Sequence, residues 1–201
     1  KLSGKADLVA FPELSLIGYP PEDLILREKI HLETLKYLKI IKQFARDKGI
    51  AVILGAPQAL GKKIGNAAIF FNGSKTNTIF KNNLPNYGVF DEKRIFKEGP
   101  PYDYIKYKKL KIGLMICEDM WTDKIAKRLI KKTVDIFICI NASPYDHEKQ
   151  TQRYEVAKNI IKISKKPIIY VNQIGGQDEL VFDGGSFVLD GNGKIICNLK
   201  T

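Results

Sequence analysis

Thiols and imidazoles are scarce in this chain. Of its 201 residues only three are cysteines, Cys117, Cys139 and Cys197, and only two are histidines. An odd number of thiols without metal-ligand spacing makes neither a disulfide framework nor a zinc site, so no metal is expected and a cytoplasmic setting is. Long apolar runs are missing too. None approaches the roughly 20 residues needed to cross a bilayer as a helix, which excludes a helical membrane span and any expected membrane partner. There is no P-loop-like glycine motif for the pyrophosphate of ATP. No internal repeat, low-complexity tract or linker interrupts the chain, so residues 1–201 read as one domain.

Positive charge is plentiful, with 33 Lys and Arg against 22 Asp and Glu for a net charge of +11. The lysines are spread along the chain, with only short clusters such as 162–166. That distribution fits a Lys-, Ile- and Asn-rich composition, and no nucleic-acid partner is expected. At 44% hydrophobic residues the chain has enough apolar surface to bury a sizeable core.

The element order reads as α/β. Residues 7–11 (DLVAF) form a short apolar strand ending in Pro12 and Glu13. Gly18, Pro20 and Pro21 then forbid a regular helix across 14–26. Apolar residues at helical spacing predict a helix over 27–46, which Gly49 stops. A strand follows at 50–55, and a hairpin pairs 67–71 with 76–80 about Asn72 and Gly73. Lys81 comes directly after it and opens an irregular stretch, KNNLPNYGVFDEKRIF. Helices are predicted at 123–132 and 149–165, and strands at 134–140, 167–172, 180–189 and 194–199, the last two flanking a turn at 191–193.

The segment LKIGLMICEDMW, residues 110–121, stands apart. A buried strand ends abruptly in Cys117, flanked by carboxylates and a tryptophan. Taken alone, Cys117 is also readable as the last small apolar residue of the strand. Cys139, inside VDIFICI, reads as core. Glu13, Lys81 and Cys117 each follow a strand, and the carboxyl ends of parallel strands share one edge of an open sheet. Their chemistry is mutually coherent, since a nucleophilic thiol needs a base to ionise it and a cation to hold the charge that develops.

FPELSLIGYPPEDL, KNNLPNYGVFDEKRIF, ICEDMW, NASPYDHEKQTQR and VNQIGGQDELVFDGGSF resemble the signature segments of the nitrilase, or carbon-nitrogen hydrolase, superfamily. GYPPEDL, LPNYGVFDE and GGQDELVFDG narrow the resemblance to the glutaminase domain of bacterial glutamine-dependent NAD synthetases. It runs over essentially the whole chain. It implies an αββα sandwich with a triad of Glu13, Lys81 and Cys117. In that triad Glu13 is the base and Lys81 stabilises the oxyanion, helped by the backbone N–H of the turn at Cys117. Glu92 is expected to orient Lys81 and the substrate. Tyr87, Ser143 and Lys149 are expected to contact the substrate, with Glu118 a weaker candidate for its ammonium.

The implied reaction is hydrolysis of the L-glutamine amide through a thioester, with no cofactor of its own. Its ammonia would pass to a synthetase domain, absent here, that uses ATP and Mg to amidate nicotinic acid adenine dinucleotide. The chain begins KLSGKADLVAFPEL, without an initiator Met and almost at once in a strand. The resemblance implies a first strand before residue 1 and the synthetase domain after residue 201, making the chain a fragment truncated at both ends. A homo-oligomer is expected by resemblance. The competing expectations are a stand-alone amidase or nitrilase of other specificity, and a non-catalytic interaction domain of the same fold.

Overall fold

A computed structural model of the chain describes residues 6–199. The chain forms two compact units, Lys1–Pro100 and Pro101–Thr201.

In the first unit, β1 (Leu8–Ala10) enters a turn and then a short 3-10 helix (Glu22–Leu26). Helix α1 (Glu28–Lys48) ends at Gly49, whose left-handed φ of 62° turns the chain into β2 (Ala51–Leu60). Strands β3 (Lys63–Asn72) and β4 (Lys75–Phe80) complete a sheet in the order β1-β2-β3-β4. The one-turn helix α2 (Glu92–Ile95) follows. Leu38, Ala45, Val52, Leu54, Ile69 and Phe71 form the core beneath α1. An apolar cleft of about 720 Å³ lies beside this core, lined by residues including Phe11, Leu16, Ile41, Phe44 and Val52. It holds none of the candidate site residues.

Strand direction places the chemistry in this unit. β1 is parallel to β2, whereas β2–β3 and β3–β4 are antiparallel, so β1, β2 and β4 run the same way. The loop after β1 carries Glu13, and Lys81 directly follows β4. Both therefore leave the same edge of the sheet.

The second unit contributes β5 (Ile105–Tyr107), β6 (Leu110–Ile116), the one-turn helix α3 (Glu118–Trp121) and α4 (Asp123–Lys131). Then come β7 (Ile136–Asn141), α5 (Lys149–Ser164), β8 (Ile168–Asn172), β9 (Ile174–Gln177), β10 (Leu180–Asp183), β11 (Phe187–Leu189) and β12 (Ile195–Asn198). Six strands form one sheet in the order β12-β11-β8-β7-β6-β5, and β9 and β10 form a separate hairpin. β6, β7 and β8 are mutually parallel, so Cys117, Ser143 and Asn172 all lie at or just beyond one carboxyl edge. Met115, Leu129, Phe137, Cys139, Ile161, Tyr170 and Phe187 pack the core, and Cys139 is fully buried among them as the sequence predicts.

Several boundaries differ from the predicted ones. β2 continues through Gly55 and Pro57 to residue 60, because β1 covers only positions 51–53 and leaves the rest of β2 as an edge on that side, where proline is tolerated. The strand predicted over 180–189 breaks at Gly184 and Gly185, both at positive φ. The single sheet edge inferred for Glu13, Lys81 and Cys117 is two edges, one in each unit, because β4 and β6 belong to different sheets. Among the described residues no helix is long and apolar enough to cross a membrane.

Candidate active site

The first unit buries a lysine between two carboxylates. Lys81 Nζ lies 2.7 Å from Glu13 Oε1 and 2.6 Å from Glu92 Oε1, with the Lys81 and Glu13 side chains fully shielded from solvent. Desolvating a lone ammonium costs several kcal/mol, which only close counter-charges and hydrogen bonds offset. Two further donors join the cluster. Asn66 Nδ2 donates to Glu13 Oε1 at 2.7 Å, and the Tyr19 hydroxyl donates to Glu92 Oε1 at 2.8 Å.

Local structure aims each of these groups. Phe11 N–H to Ile53 O extends the β1–β2 ladder to the brink of the turn, and Leu16 N–H to Gly55 O fastens the far side. Within the turn, Leu14 takes a left-handed φ of 46°, and its carbonyl accepts from Ile17 and Gly18. The Lys81 main chain is held by its N–H to Asn66 O and by Gly99 N–H to its own carbonyl. Glu92 begins α2, where Arg94 pairs with Asp91 and ties the helix to the 3-10 helix through Glu22 and Asp23.

The two acids share one cation. Burial pushes the Glu92 carboxyl up to about 7. Lys81 opposes that rise, Glu13 adds to it, and the bonds from Lys81 and Tyr19 oppose it again. Glu92 Oε2 is buried with no hydrogen-bond partner, an environment that favours the protonated acid. Tyr87 stands exposed at the surface, edge-on to Phe90 with ring centroids 5.6 Å apart, and Phe90 is in turn edge-on to Tyr19.

In the second unit Cys117 sits between β6 and α3 with φ 44° and ψ −100°. A non-glycine residue in that region is strained by about 1–3 kcal/mol and persists only where its surroundings fix it. Cys117 N–H donates to Ile140 O at 2.9 Å, and Cys117 O accepts from Met120 N at 2.9 Å. The thiol-bearing residue is thus locked at a sharp strand-to-helix turn. The bond to Ile140 engages the N–H of Cys117 itself as part of this fixed turn. Beneath lies Tyr170, buried and stacked on Phe187 at 4.8 Å between centroids. Burial first, and then the electrostatic influence of the neighbouring Cys117, hold its phenol well above the ordinary value, so it stays neutral.

Ser143 and Lys149 belong to the same unit. Ser143 N–H donates to Asn172 Oδ1 at 2.9 Å, and Asn172 Nδ2 returns a bond to Ser143 O at 3.2 Å. Fully buried Arg153 donates to Ser143 Oγ and O and pairs with Asp183 through two 2.9 Å bonds. Lys149 opens α5 with its ammonium 4.4 Å from the centre of the Trp121 ring. Glu118 is half-buried at the start of α3.

The predicted residues thus fall into two groups. Glu13 and Glu92 both contact Lys81 in the first unit, which also carries the exposed Tyr87. Cys117, Glu118, Ser143 and Lys149 belong to the second. Sequence reasoning missed Asn66, Tyr19 and Arg153. Arg153 had the best available signal, being the cation one helical turn beyond Lys149 that is answered by Asp183 in the distant GGQDELVFDG segment. Among the described residues no group of three or more His, Cys, Asp or Glu side chains is placed to hold a metal ion.

Comparison with known proteins adds the family. The carbon-nitrogen hydrolase family model matches residues 2–201. The glutamine-dependent NAD(+) synthetase of Acinetobacter baylyi is 38% identical over 94% of this chain and 35% of its own length. That of Thermotoga maritima is 39% identical over 95% of the chain and 34% of its own. The chain therefore spans about a third of the length of these curated relatives. The solved structure of the Acinetobacter baumannii glutamine-dependent NAD+ synthetase with ADP superposes with a TM-score of 0.92 at 38% identity, over 98% of this chain and 37% of that one. An amidase from Nesterenkonia sp. shares the fold at a TM-score of 0.84 and 23% identity, over 98% of this chain and 74% of that one. With its matched sequence, its α/β sheets and these structural neighbours, the chain belongs to the carbon-nitrogen hydrolase family and has the nitrilase-superfamily fold.

Proposed function

We propose that this chain is the glutaminase part of a glutamine-dependent NAD synthetase, with Cys117 as nucleophile, Glu13 as general base and Lys81 as the cation at the oxyanion. Glu13 takes the proton from Sγ, and the thiolate attacks the carboxamide carbon of L-glutamine. Lys81 offsets the negative charge on the tetrahedral intermediate. Collapse breaks the C–N bond as Glu13 gives its proton to the departing ammonia, leaving a thioester on Sγ. Water, deprotonated by Glu13, then attacks the thioester and releases glutamate and the thiol.

The observation that carries this assignment is the fully buried Lys81 held between two carboxylates. A lysine of purely structural use is seldom sealed from water at such desolvation cost. Glu92 orients Lys81. Ser143 and Lys149 receive the substrate α-carboxylate, while Tyr87 and Glu118 complete its binding. The glutamine step needs no cofactor. ATP and Mg serve a synthetase domain outside these residues, which receives the ammonia in a cytoplasmic homo-oligomer.

The test compares L-glutamine with a neutral amide of similar size on the full chain and on Cys117→Ala. Glutamine is expected to be the better substrate, with a thioester-sized mass increment on wild type and neither turnover nor adduct on folded Cys117→Ala. Preference for the neutral amide would replace the glutaminase by a general amidase, and turnover by the alanine variant would end the thiol mechanism.

A further inference from the structure

We propose that Asn66 is a positioning residue for the general base: its side chain fixes the Glu13 carboxylate while its main chain sets where Lys81 begins. This rests on the assignment of Glu13 as base made above. Asn66 lies on β3 opposite Pro57 of β2 and is completely buried. Its Nδ2 is 2.7 Å from Glu13 Oε1, the same oxygen that accepts from Lys81 Nζ. Its carbonyl accepts the Lys81 N–H at 2.8 Å. One residue therefore holds the base by its side chain and the cation by its backbone.

The amide orientation follows from chemistry. A carboxylate is acceptor-only, so the group facing it must be the N–H₂ end and not the carbonyl. That leaves Asn66 Oδ1 buried with no hydrogen-bond partner. An amide with an unused acceptor in a strand interior is costly, and an apolar residue would relieve the cost if only packing mattered. The cost is intelligible if the donor is needed. With Oε1 engaged from two directions, the carboxylate plane is fixed, and the remaining oxygen is held in one orientation for proton transfer.

Two variants test this in the full chain. Asn66→Asp keeps the shape but replaces the donor by an acceptor, and Asn66→Leu removes the polar group. At the alkaline end of the pH range, where the introduced carboxylate is ionised, both are expected to lower kcat about 10- to 100-fold, the range for losing a hydrogen bond to a charged group, with KM for glutamine within about twofold of wild type. The deciding readout is the pH dependence of the deficit. Lowering the pH protonates the introduced carboxylate and restores an O–H donor, so the Asn66→Asp deficit is expected to narrow while that of Asn66→Leu does not. Glu13, Lys81, Glu92 and Tyr19 face this position in wild type and both variants alike, so a recovery confined to Asn66→Asp belongs to residue 66.

Wild-type kcat in either folded variant, or a deficit of Asn66→Asp that parallels that of Asn66→Leu at every pH, would overturn the proposal. If Asn66→Leu does not fold, the nearly isosteric Asn66→Asp decides alone through its pH response. Glu13→Gln separates the two levels. If it keeps full activity, the assignment of the base fails. If it is inactive while both Asn66 variants behave as wild type, only the role of Asn66 fails.

Discussion

Gly55 and Leu14 are in contact closer than any side chain would allow. A Cβ added at Gly55 would stand 2.3 Å from the Leu14 amide nitrogen and 2.3 Å from Pro12 O. The absent side chain thus lets the turn carrying Glu13 lie directly on β2. Gly55→Ala has to move backbone on one side or the other, since no flexible side chain can yield. We expect a stability loss of about 1–3 kcal/mol, the usual range for forced overpacking, together with a fall in kcat as Glu13 leaves Lys81. Gly176→Ala, where the new methyl would meet Leu180 O at an ordinary 3.7 Å, is the tolerated control. Thermal melting and glutamine kinetics on the two variants check both effects.

Glu92 makes stability and activity depend on pH near neutrality. Its carboxyl, at about 7 in the folded chain against an ordinary 4.5, binds its proton more tightly folded than unfolded. The group therefore stabilises the fold below pH 4.5, and that contribution is lost as the pH rises to about 7. Glu92→Gln removes the ionisation. Relative to wild type its stability should be constant below pH 4.5, rise between pH 4.5 and 7, and level off above. The total change is on the order of 3 kcal/mol, at about 1.4 kcal/mol for each tenfold change in proton affinity. Urea unfolding of both proteins from pH 4 to 8 measures it. The same substitution should also remove an inflection near pH 7 from the kcat/KM profile, and an unchanged profile would show that Glu92 does not titrate during turnover.

Lys149 and Trp121 give a test of specificity. With the ammonium over the indole face, the ring holds Lys149 in place without neutralising it, an interaction worth about 0.5–1 kcal/mol at a part-exposed site. If Lys149 receives the α-carboxylate, Lys149→Ala should raise KM for glutamine about 10- to 100-fold, as for a lost hydrogen bond to a charged group. Trp121→Leu should raise it only about two- to fivefold. A neutral amide should be indifferent to both. Equal effects on glutamine and on the neutral amide would remove Lys149 from substrate recognition.

Much of this is legible in the sequence where period and punctuation agree. The helix stopped at Gly49, the hairpin at Asn72 and Gly73, and the strand ending at Cys117 all lie where apolar spacing and turn residues put them. The sequence pattern ends β2 at Gly55 because glycine and proline ordinarily interrupt strands, yet Gly55 is there to admit the neighbouring turn. β9 escapes because IGGQ carries no alternating apolar pattern, whereas β10 lies within the strand predicted over 180–189. At the site, the acids and Lys81 are visible as charges beside turns. Asn66 is not, because an asparagine next to a glycine reads as turn chemistry, and its partner is 53 residues away in sequence. Hydrogen-bond partners so distant are set by strand register, which a hydrophobic pattern does not encode.

The three thiols differ sharply in access. Cys197 is exposed on β12 at the margin of its sheet, Cys117 is buried at its turn, and Cys139 is sealed in the core. Reagent choice can therefore discriminate among them. A small unselective alkylating agent meets Cys197 first, whereas an electrophile shaped like glutamine has to use the route the substrate uses. The ratio of modification at the two positions reports how far substrate shape, rather than simple encounter, governs arrival at the nucleophile. Cys139, shielded from both reagents, becomes modified only when the fold opens, so one digest of the same sample reads recognition and unfolding together.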